Sequence, residues 1–201
     1  PERTYVIGSE NEIVRNWIYG NNNLSGTKLQ ILGGSNGKSL IGNNLQGIII
    51  NSDQQVDIKN VTSYEGFQTA IINNGGTVNV SGTNFQNNNG GENGGVIQNN
   101  GGTITVNAGA SFTNNSAVNN GGAIYNTGVM NLSSSDMGDI VFNNNTANRG
   151  ADIFQISTGV TNITGDSGSV IISSGVAGEG KINKSGNGTL VLNGDNSDYT
   201  G

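Results

Sequence analysis

Apolar and polar residues alternate along much of the chain in short runs of β-branched and aliphatic side chains. Val78-Asn79-Val80 and Ile104-Thr105-Val106 are two such runs. A period of two indicates β-strands that bury one face. Asn and Gly separate the runs, and both accept the positive φ angles of tight turns more readily than other residues do. The pattern therefore predicts an all-β chain of many short strands.

The same pattern also recurs at a nearly constant interval. Residues 70–80 read AIINNGGTVNV, and residues 96–106, which begin 26 positions later, read VIQNNGGTITV. Short strands repeated at such an interval stack as the coils of a solenoid, because no single coil can bury its apolar face alone. We predict a parallel β-helix. At about 22 residues per coil, the chain would hold roughly nine coils.

Two short motifs mark the repeats and supply the candidate functional residues. A Phe-x-x-Asn tetrapeptide occurs three times, and a Gly-Gly pair before an aliphatic residue follows it, the third time in the degenerate form Gly150-Ala151-Asp152-Ile153. The motif residues are Phe85, Asn88, Gly94, Gly95, Ile97, Phe112, Asn115, Gly121, Gly122, Ala123, Ile124, Phe142 and Asn145.

Stacked coils place equivalent residues directly on one another, about 4.8 Å apart. We therefore expect the motif Phe residues to form an inward column of offset rings. Stacked Asn side chains can hydrogen-bond along the axis, so we expect two Asn ladders. Their members are Asn73, Asn99 and Asn126, and Asn88, Asn115 and Asn145.

Three zones follow one another without a linker. Residues 1–40 are the least repetitive and are predicted to form an N-terminal cap and the first coils, with Trp17, Ile18 and Tyr19 covering the open end of the core. Carbohydrate stacking is the alternative role for Trp17 and Tyr19. Residues 41–160 form the repeat-bearing β-helix, and residues 161–201 continue it with shorter turns.

Composition and charge narrow the function classes. The net charge of −6 weighs against nucleic acid and anionic membranes, because binding to phosphates needs clustered Lys and Arg. The chain has no Cys and no His, which removes disulfides, thiolate sites and every imidazole-dependent mechanism. We find no signal peptide and no apolar run long enough to span a membrane, so no membrane insertion of this chain is expected. We expect it to be a processed or cut fragment of a longer protein.

Carboxylates are the remaining candidates for catalysis. Asp136 and Asp139, Asp195 and Asp198, and Asp53 and Asp57 are closely spaced pairs, and glycoside hydrolysis uses two carboxyls. No pair is accompanied by a cluster of basic or aromatic residues that would hold a sugar, so we interpret them as solvated loop carboxylates. The Gly-Gly-x-Gly-x-Asp calcium repeat is absent. Residues 33–39 lack the spacing of a phosphate-binding loop and are interpreted as a turn. We predict no catalytic residue, no cofactor and no metal.

The alternation of Phe-x-x-Asn with Gly-Gly-Ala-Ile over about residues 85–153 resembles the repeats of the polymorphic outer-membrane proteins, a family of bacterial autotransporters. Residues 185–201, SGNGTLVLNGDNSDYTG, resemble the passenger-associated β-strand repeat of autotransporters in general. The third Gly-Gly motif departs from the family pattern and Cys is missing, which points to the wider autotransporter class.

This resemblance implies a type V secreted passenger domain, folded as a right-handed β-helix at the bacterial cell surface or released from it. It further implies a non-catalytic adhesin that binds a host-cell receptor or glycan, or that self-associates between sister cells. We expect the faces of the rod and the loops at residues 87–93 and 133–138 to make the contacts. An inert stalk is the main alternative, and a polysaccharide-active β-helix enzyme is a weaker one.

Overall fold

The computed structural model describes residues 2–6, 11–13, 28–33 and 38–201. Throughout these ranges the chain forms strands and turns, and no helix occurs in them. The predicted cap residues Trp17, Ile18 and Tyr19 lie outside the described residues, as do residues 34–37 of the glycine-rich turn. Within the described part, no helix that could cross a membrane is present.

The described strands form three parallel sheets. The first sheet contains eight strands: β1 (Glu2–Val6), β3 (Lys28–Leu32), β6 (Gln55–Lys59), β9 (Thr77–Ser81), β12 (Thr103–Asn107), β15 (Val129–Ser134), β18 (Val160–Gly165) and β21 (Lys181–Lys184). The second contains eight: β2 (Asn11–Ile13), β4 (Ser39–Ile41), β7 (Ser63–Glu65), β10 (Asn84–Gln86), β13 (Ser111–Thr113), β16 (Ile140–Asn143), β19 (Ser169–Ile172) and β22 (Thr189–Leu192). The third contains six: β5 (Ile48–Asn51), β8 (Ile71–Asn74), β11 (Ile97–Asn99), β14 (Ile124–Asn126), β17 (Ile153–Gln155) and β20 (Val176–Gly178).

The chain visits the three sheets in turn, so that each coil contributes one strand to each. Every strand pairs in parallel with the equivalent strand of the next coil, as Phe85 does with Phe112 and Ile97 with Ile124. About six coils, from β3 to β20, contain all three strands. The predicted all-β parallel β-helix is confirmed, and its right-handed sense stays a prediction.

The described coils vary in length, and most are longer than the roughly 22 residues on which the estimate of nine coils rested. Register partners in the first sheet are 26 residues apart between Thr77 and Thr103, and 31 apart between Val129 and Val160. The described part of that sheet therefore holds eight strands, and the estimate of roughly nine coils was wrong. The reason is that the loops between the second and third sheets, such as residues 87–96, are long and carry no strand.

The core is a narrow column enclosed by the three sheets. Inward positions of the first sheet hold aliphatic residues such as Val78, Ile104 and Leu132, all fully buried. Ile71, Ile97 and Ile124 stack in the same way in the third sheet. β-Branched residues suit these positions because their side chains pack well on a pleated surface.

A column of aromatic rings runs through the second sheet, as predicted. The ring centroids of Phe85 and Phe112 are 5.2 Å apart, and those of Phe112 and Phe142 are 4.6 Å apart, with interplanar angles of 15° and 3°. Tyr64 continues the column below Phe85 at 5.1 Å. All four side chains are fully buried. Removing one ring would leave a cavity that its neighbours in the column cannot fill.

The first predicted Asn ladder lies in the third sheet. Asn73 Nδ2 donates to Asn99 Oδ1 at 2.9 Å, and Asn99 Nδ2 donates to Asn126 Oδ1 at 2.8 Å. The same amides also bond the turn that leads into the first sheet, for Asn99 Nδ2 donates to Gly102 O at 3.0 Å. These fully buried side chains therefore tie coil to coil and close a turn together.

The second predicted Asn ladder lies where the second sheet turns toward the third. Asn88 Nδ2 donates to Asn115 Oδ1 at 3.1 Å, and Asn115 Nδ2 donates to Asn145 Oδ1 at 3.0 Å. Asn115 Nδ2 also donates to Phe85 O at 3.1 Å, and Asn115 Oδ1 accepts the backbone N–H of Asn88 at 3.0 Å. Each amide thereby satisfies backbone groups that the turn leaves without a sheet partner.

The residue before each ladder Asn has a different task. Asn87, Asn114 and Asn144 have φ angles of 53°, 56° and 54°. A left-handed conformation is costly for most residues, and Asn and Gly tolerate it best. The Asn-Asn pair inside the Phe-x-x-Asn motif thus combines a turn residue with a ladder residue.

These two tasks separate in a pair of neighbouring variants. Asn115→Ala removes donors and acceptors from several buried partners, and we expect it to lower the free energy of unfolding by about 3 kcal/mol. Asn114→Gly keeps the left-handed turn, and we expect a change below about 1 kcal/mol. Chemical denaturation followed by circular dichroism measures both. Equal stability of Asn115→Ala and the unmodified chain would contradict the role of the ladder.

Candidate functional site

The residues of the two repeat motifs lie inside the solenoid. Every motif Phe, Asn, Ala and Ile side chain is at most 2% exposed, and the motif glycines are buried as well. The buried side chains are Phe85, Asn88, Ile97, Phe112, Asn115, Ala123, Ile124, Phe142 and Asn145. None of these can touch a ligand unless the coils open. These residues therefore stabilise the fold, and any ligand must contact other residues.

The Gly-Gly pairs allow a close approach of backbones. Gly94 and Gly121 have φ angles of 67° and 65°, in the left-handed region. A Cβ atom on Gly95 would collide with the carbonyl oxygen of Gly122 in the next coil, and one on Gly122 with that of Ala151. The pairs therefore let successive loops stack at the spacing of the sheets.

The degenerate third motif ends the second Asn ladder. Asp152 follows Gly150-Ala151 at the position that Ala123 holds in the preceding copy. Its Oδ1 accepts from Asn145 Nδ2 at 2.7 Å, and its Oδ2 accepts from the backbone N–H of Ser174 at 2.6 Å. A carboxylate only accepts hydrogen bonds, which is what the last amide of the ladder requires. Full burial raises the pKa of Asp152, and hydrogen bonds from Asn145, Ser174 and Gly175 offset part of the rise.

The members of the closely spaced carboxylate pairs differ in burial and in hydrogen-bond partners. Asp57 is buried, not solvated as expected, and forms a 2.9 Å ion pair with Lys28. Burial alone would raise its pKa, but hydrogen bonds from Gln55, Asn79 and Lys28, and the charge of Lys28, lower it overall. Asp53, the other member of this pair, is exposed.

In each of the other two pairs, one member accepts a backbone hydrogen bond. Asp139 Oδ1 accepts from the backbone N–H of Ser169 at 2.7 Å. Asp195 Oδ1 accepts from the N–H of Ser197 at 3.0 Å, and this hydrogen bond lowers the pKa of Asp195. Across the described ranges, no group of three or more carboxylates is arranged to hold a metal ion.

The outer face of the third sheet combines features that suit a ligand. Its central row, which we call the floor, consists of Ile72, Gln98, Tyr125 and Phe154, one from each of four successive coils and in register. The rings of Tyr125 and Phe154 are stacked 5.7 Å apart and nearly parallel, at 5°. The first three side chains are half-buried and Phe154 is 7% exposed, so the floor is a shallow strip of three apolar side chains and one amide.

Two rows of polar side chains border the floor. On the side of the second sheet, Asn93, Asn120 and Arg149 are in register, and Asn120 Nδ2 donates to Asn93 Oδ1 at 2.8 Å. On the side of the first sheet, Asn100 Nδ2 donates to Asn74 Oδ1 at 2.9 Å. We call the floor and these two rims the axial groove. Its members are Ile72, Asn74, Asn93, Gln98, Asn100, Asn120, Tyr125, Arg149 and Phe154.

The axial groove deepens at both ends. One hollow of about 240 Å³ lies around Ile72 and Gln98, beneath Glu92 and Asn93. A second of about 130 Å³ lies between Phe154, Arg149 and Glu179. The Arg149 guanidinium lies 4.9 Å from the centroid of the Phe154 ring, and its Nε is 3.6 Å from Asp198 Oδ2. Ligand pockets commonly combine an apolar surface with a few oriented polar groups in this way.

The two predicted contact loops lie in different places. Residues 87–93 carry Glu92 and Asn93, which border the axial groove. Residues 133–138 lie between the first and second sheets, beside a hollow of about 480 Å³ that Asp136 and Asp166 line. Met137 at the tip of that loop is 87% exposed. The axial groove was not among the predicted sites, because the repeat aligns its residues but does not show which outward side chains border a hollow.

Comparison of the chain with protein-family models, with curated proteins and with solved structures finds no match.

The raised pKa of Asp152 gives a prediction for the pH dependence of stability. An acid whose pKa is higher in the folded state than its ordinary value of 3.8 stabilises the fold most below that value and progressively less as the pH rises through the folded pKa. Asp152→Asn cannot titrate. We therefore expect the stability advantage of the unmodified chain over Asp152→Asn to shrink between pH 3 and pH 7. Thermal unfolding of both proteins is measured at each pH, and taking the difference cancels the contribution of the other carboxylates. A stability advantage of the unmodified chain that grows with pH would contradict the raised pKa of Asp152.

Proposed function

We propose that this chain is a non-catalytic binding segment of a bacterial surface protein, the passenger domain of an autotransporter, and that it attaches cells to a host surface or to each other. The motif resemblance and the stacked coils support the passenger assignment. The proposal places the protein at the cell surface or in a released form. Binding would take place on the sides of the rod.

The observation that carries this proposal is that the motif residues are buried in the core, whereas other residues form the outer face of the third sheet. Motif residues such as Phe112 and Asn115 are fully used in the core, whereas the outer face of the third sheet presents Tyr125, Gln98 and Asn93 to solvent in regular rows. A surface that extends over several coils can make many weak contacts at once, and such contacts sum through multivalency. Asp57 forms an ion pair, Asp152 ends a ladder, and Asp139 and Asp195 accept backbone hydrogen bonds. These structural uses favour binding over catalysis.

An inert stalk is the second candidate, and one feature favours it. The buried ladders and the aromatic column run along the axis of the rod and hold successive coils in fixed register. Such a rod is stiff and could hold a more distal domain away from the membrane. The two candidates differ in whether the sides of this chain bind anything.

Adhesion of beads that carry this chain to cultured epithelial cells separates them. We expect saturable attachment that is reduced by competition with the soluble chain. If the partner is a second copy of the chain, we expect the beads to clump with one another without attaching to cells. Beads coated with heat-unfolded chain serve as the control. Absence of both attachment and clumping would overturn the proposal and leave the stalk as the function.

A further inference from the structure

We propose that the axial groove binds an extended neutral glycan that runs parallel to the solenoid axis. This inference rests on the binding function proposed above and names the class of ligand for one face. Nothing in it involves the buried repeat motifs.

The side chains of the groove match the two surfaces of a pyranose ring. A sugar ring has an apolar C–H face and a rim of hydroxyl groups. The groove offers an apolar strip in Ile72, Tyr125 and Phe154, and amide groups on both sides of it. Amide side chains both donate and accept hydrogen bonds, which is the pairing that hydroxyl groups require.

Groups on the rims remain free to bind. Asn74 and Asn93 each accept one ladder hydrogen bond through Oδ1, and, within the described part of the chain, neither amide nitrogen donates to a protein group. Gln98 Nε2 donates to Asn100 Oδ1 at 3.3 Å, which fixes the Gln98 amide between floor and rim. These amides therefore present oriented donors beside the apolar strip.

The length of the groove favours a polymer. The floor extends over four successive coils, with one side chain per coil about 4.8 Å further along the axis. A ligand made of several units can contact several coils at once, so that weak single contacts add up. One sugar bound to one coil would gain little.

The charge of the face favours a neutral chain. Among the described residues of this face, Arg149 is the one basic side chain, and it is paired with Asp198. Glu92 and Glu179 lie at the two hollows. Sulfated glycans and nucleic acids would therefore meet net negative charge without the Lys and Arg groups that their anions need.

The backbone of the face argues against an extended peptide. Strand addition requires a free strand edge with unpaired N–H and C=O groups. Strands β8, β11, β14 and β17 are each hydrogen-bonded to a neighbour on both sides. The floor is also a single side chain wide, which is narrow for the apolar centre of a protein interface.

Titration calorimetry with cellohexaose, chitohexaose and mannohexaose tests the inference, with a heparin hexasaccharide as the anionic comparison. We expect at least one neutral oligosaccharide to bind saturably and heparin not to bind. We further expect Tyr125→Ala and Asn93→Ala to weaken the dissociation constant at least tenfold. Thr105→Ala, on the outer face of the first sheet, is the matched control and should leave it unchanged. The unfolding midpoint of each variant verifies that it folds.

The outcomes distinguish this inference from the proposed function. In one outcome, Tyr125→Ala abolishes cell attachment, but no neutral oligosaccharide binds the chain or competes with attachment. That result would mean that a protein partner occupies the groove, and it would overturn the glycan proposal. Glycan binding that resists Tyr125→Ala and Asn93→Ala, or tighter binding of heparin, would overturn it as well. Attachment that none of these variants reduces would leave adhesion intact and remove the groove from it. If beads that carry the unmodified chain neither attach nor clump, but the chain binds a neutral oligosaccharide, adhesion is overturned and the glycan site stands. If the chain also binds no neutral oligosaccharide, both proposals are overturned.

Discussion

Stacking of equivalent residues in successive coils is the constraint on which the rest of this molecule depends. Each coil is too thin to enclose a core alone, so its inward side chains are buried by the other two sheets together with the same positions in the coils above and below. Apolar residues meet this condition with any well-packed neighbour. A buried Asn meets it only if the next coil supplies a partner at the same position, as Asn99 does for Asn73 and Asn145 for Asn115. The amide ladders therefore specify register more strictly than the apolar rows do.

The same constraint explains how the ladders end. An amide that donates upward along a column needs an acceptor in the last coil, and Asp152 supplies it for the second ladder. The first ladder ends differently: Gln155 is in register above Asn126, and Asn126 Nδ2 reaches the carbonyl oxygen of Val160 at 3.4 Å. A residue that departs from the repeat pattern can thus mark the coil in which a column of stacked side chains ends.

Much of the interior could be predicted from the sequence, because a repeat interval together with strand alternation determines which residues stack. The column of Phe85, Phe112 and Phe142 and both Asn ladders follow from that rule and are confirmed. The number of coils was overestimated, since loop lengths vary without changing the strands. Burial of Asp57 and Asp152 was missed, because each depends on partners in other coils. The axial groove was missed although the repeat aligns Ile72 with Gln98 and Asn74 with Asn100, because an alignment of positions does not show which outward side chains enclose a hollow.

The central claim is that one Asn of each Asn-Asn pair holds coils together while the other faces solvent. The buried member is the first in the pair 99–100 and the second in the pair 114–115. Hydrogen exchange of side-chain amide protons, measured by NMR, tests this directly. The account predicts that the Nδ2 protons of Asn99 and Asn115 exchange at least about a hundredfold more slowly than those of Asn74 and Asn114, because the former are released only when coils separate. Equal exchange rates for the two groups would contradict it.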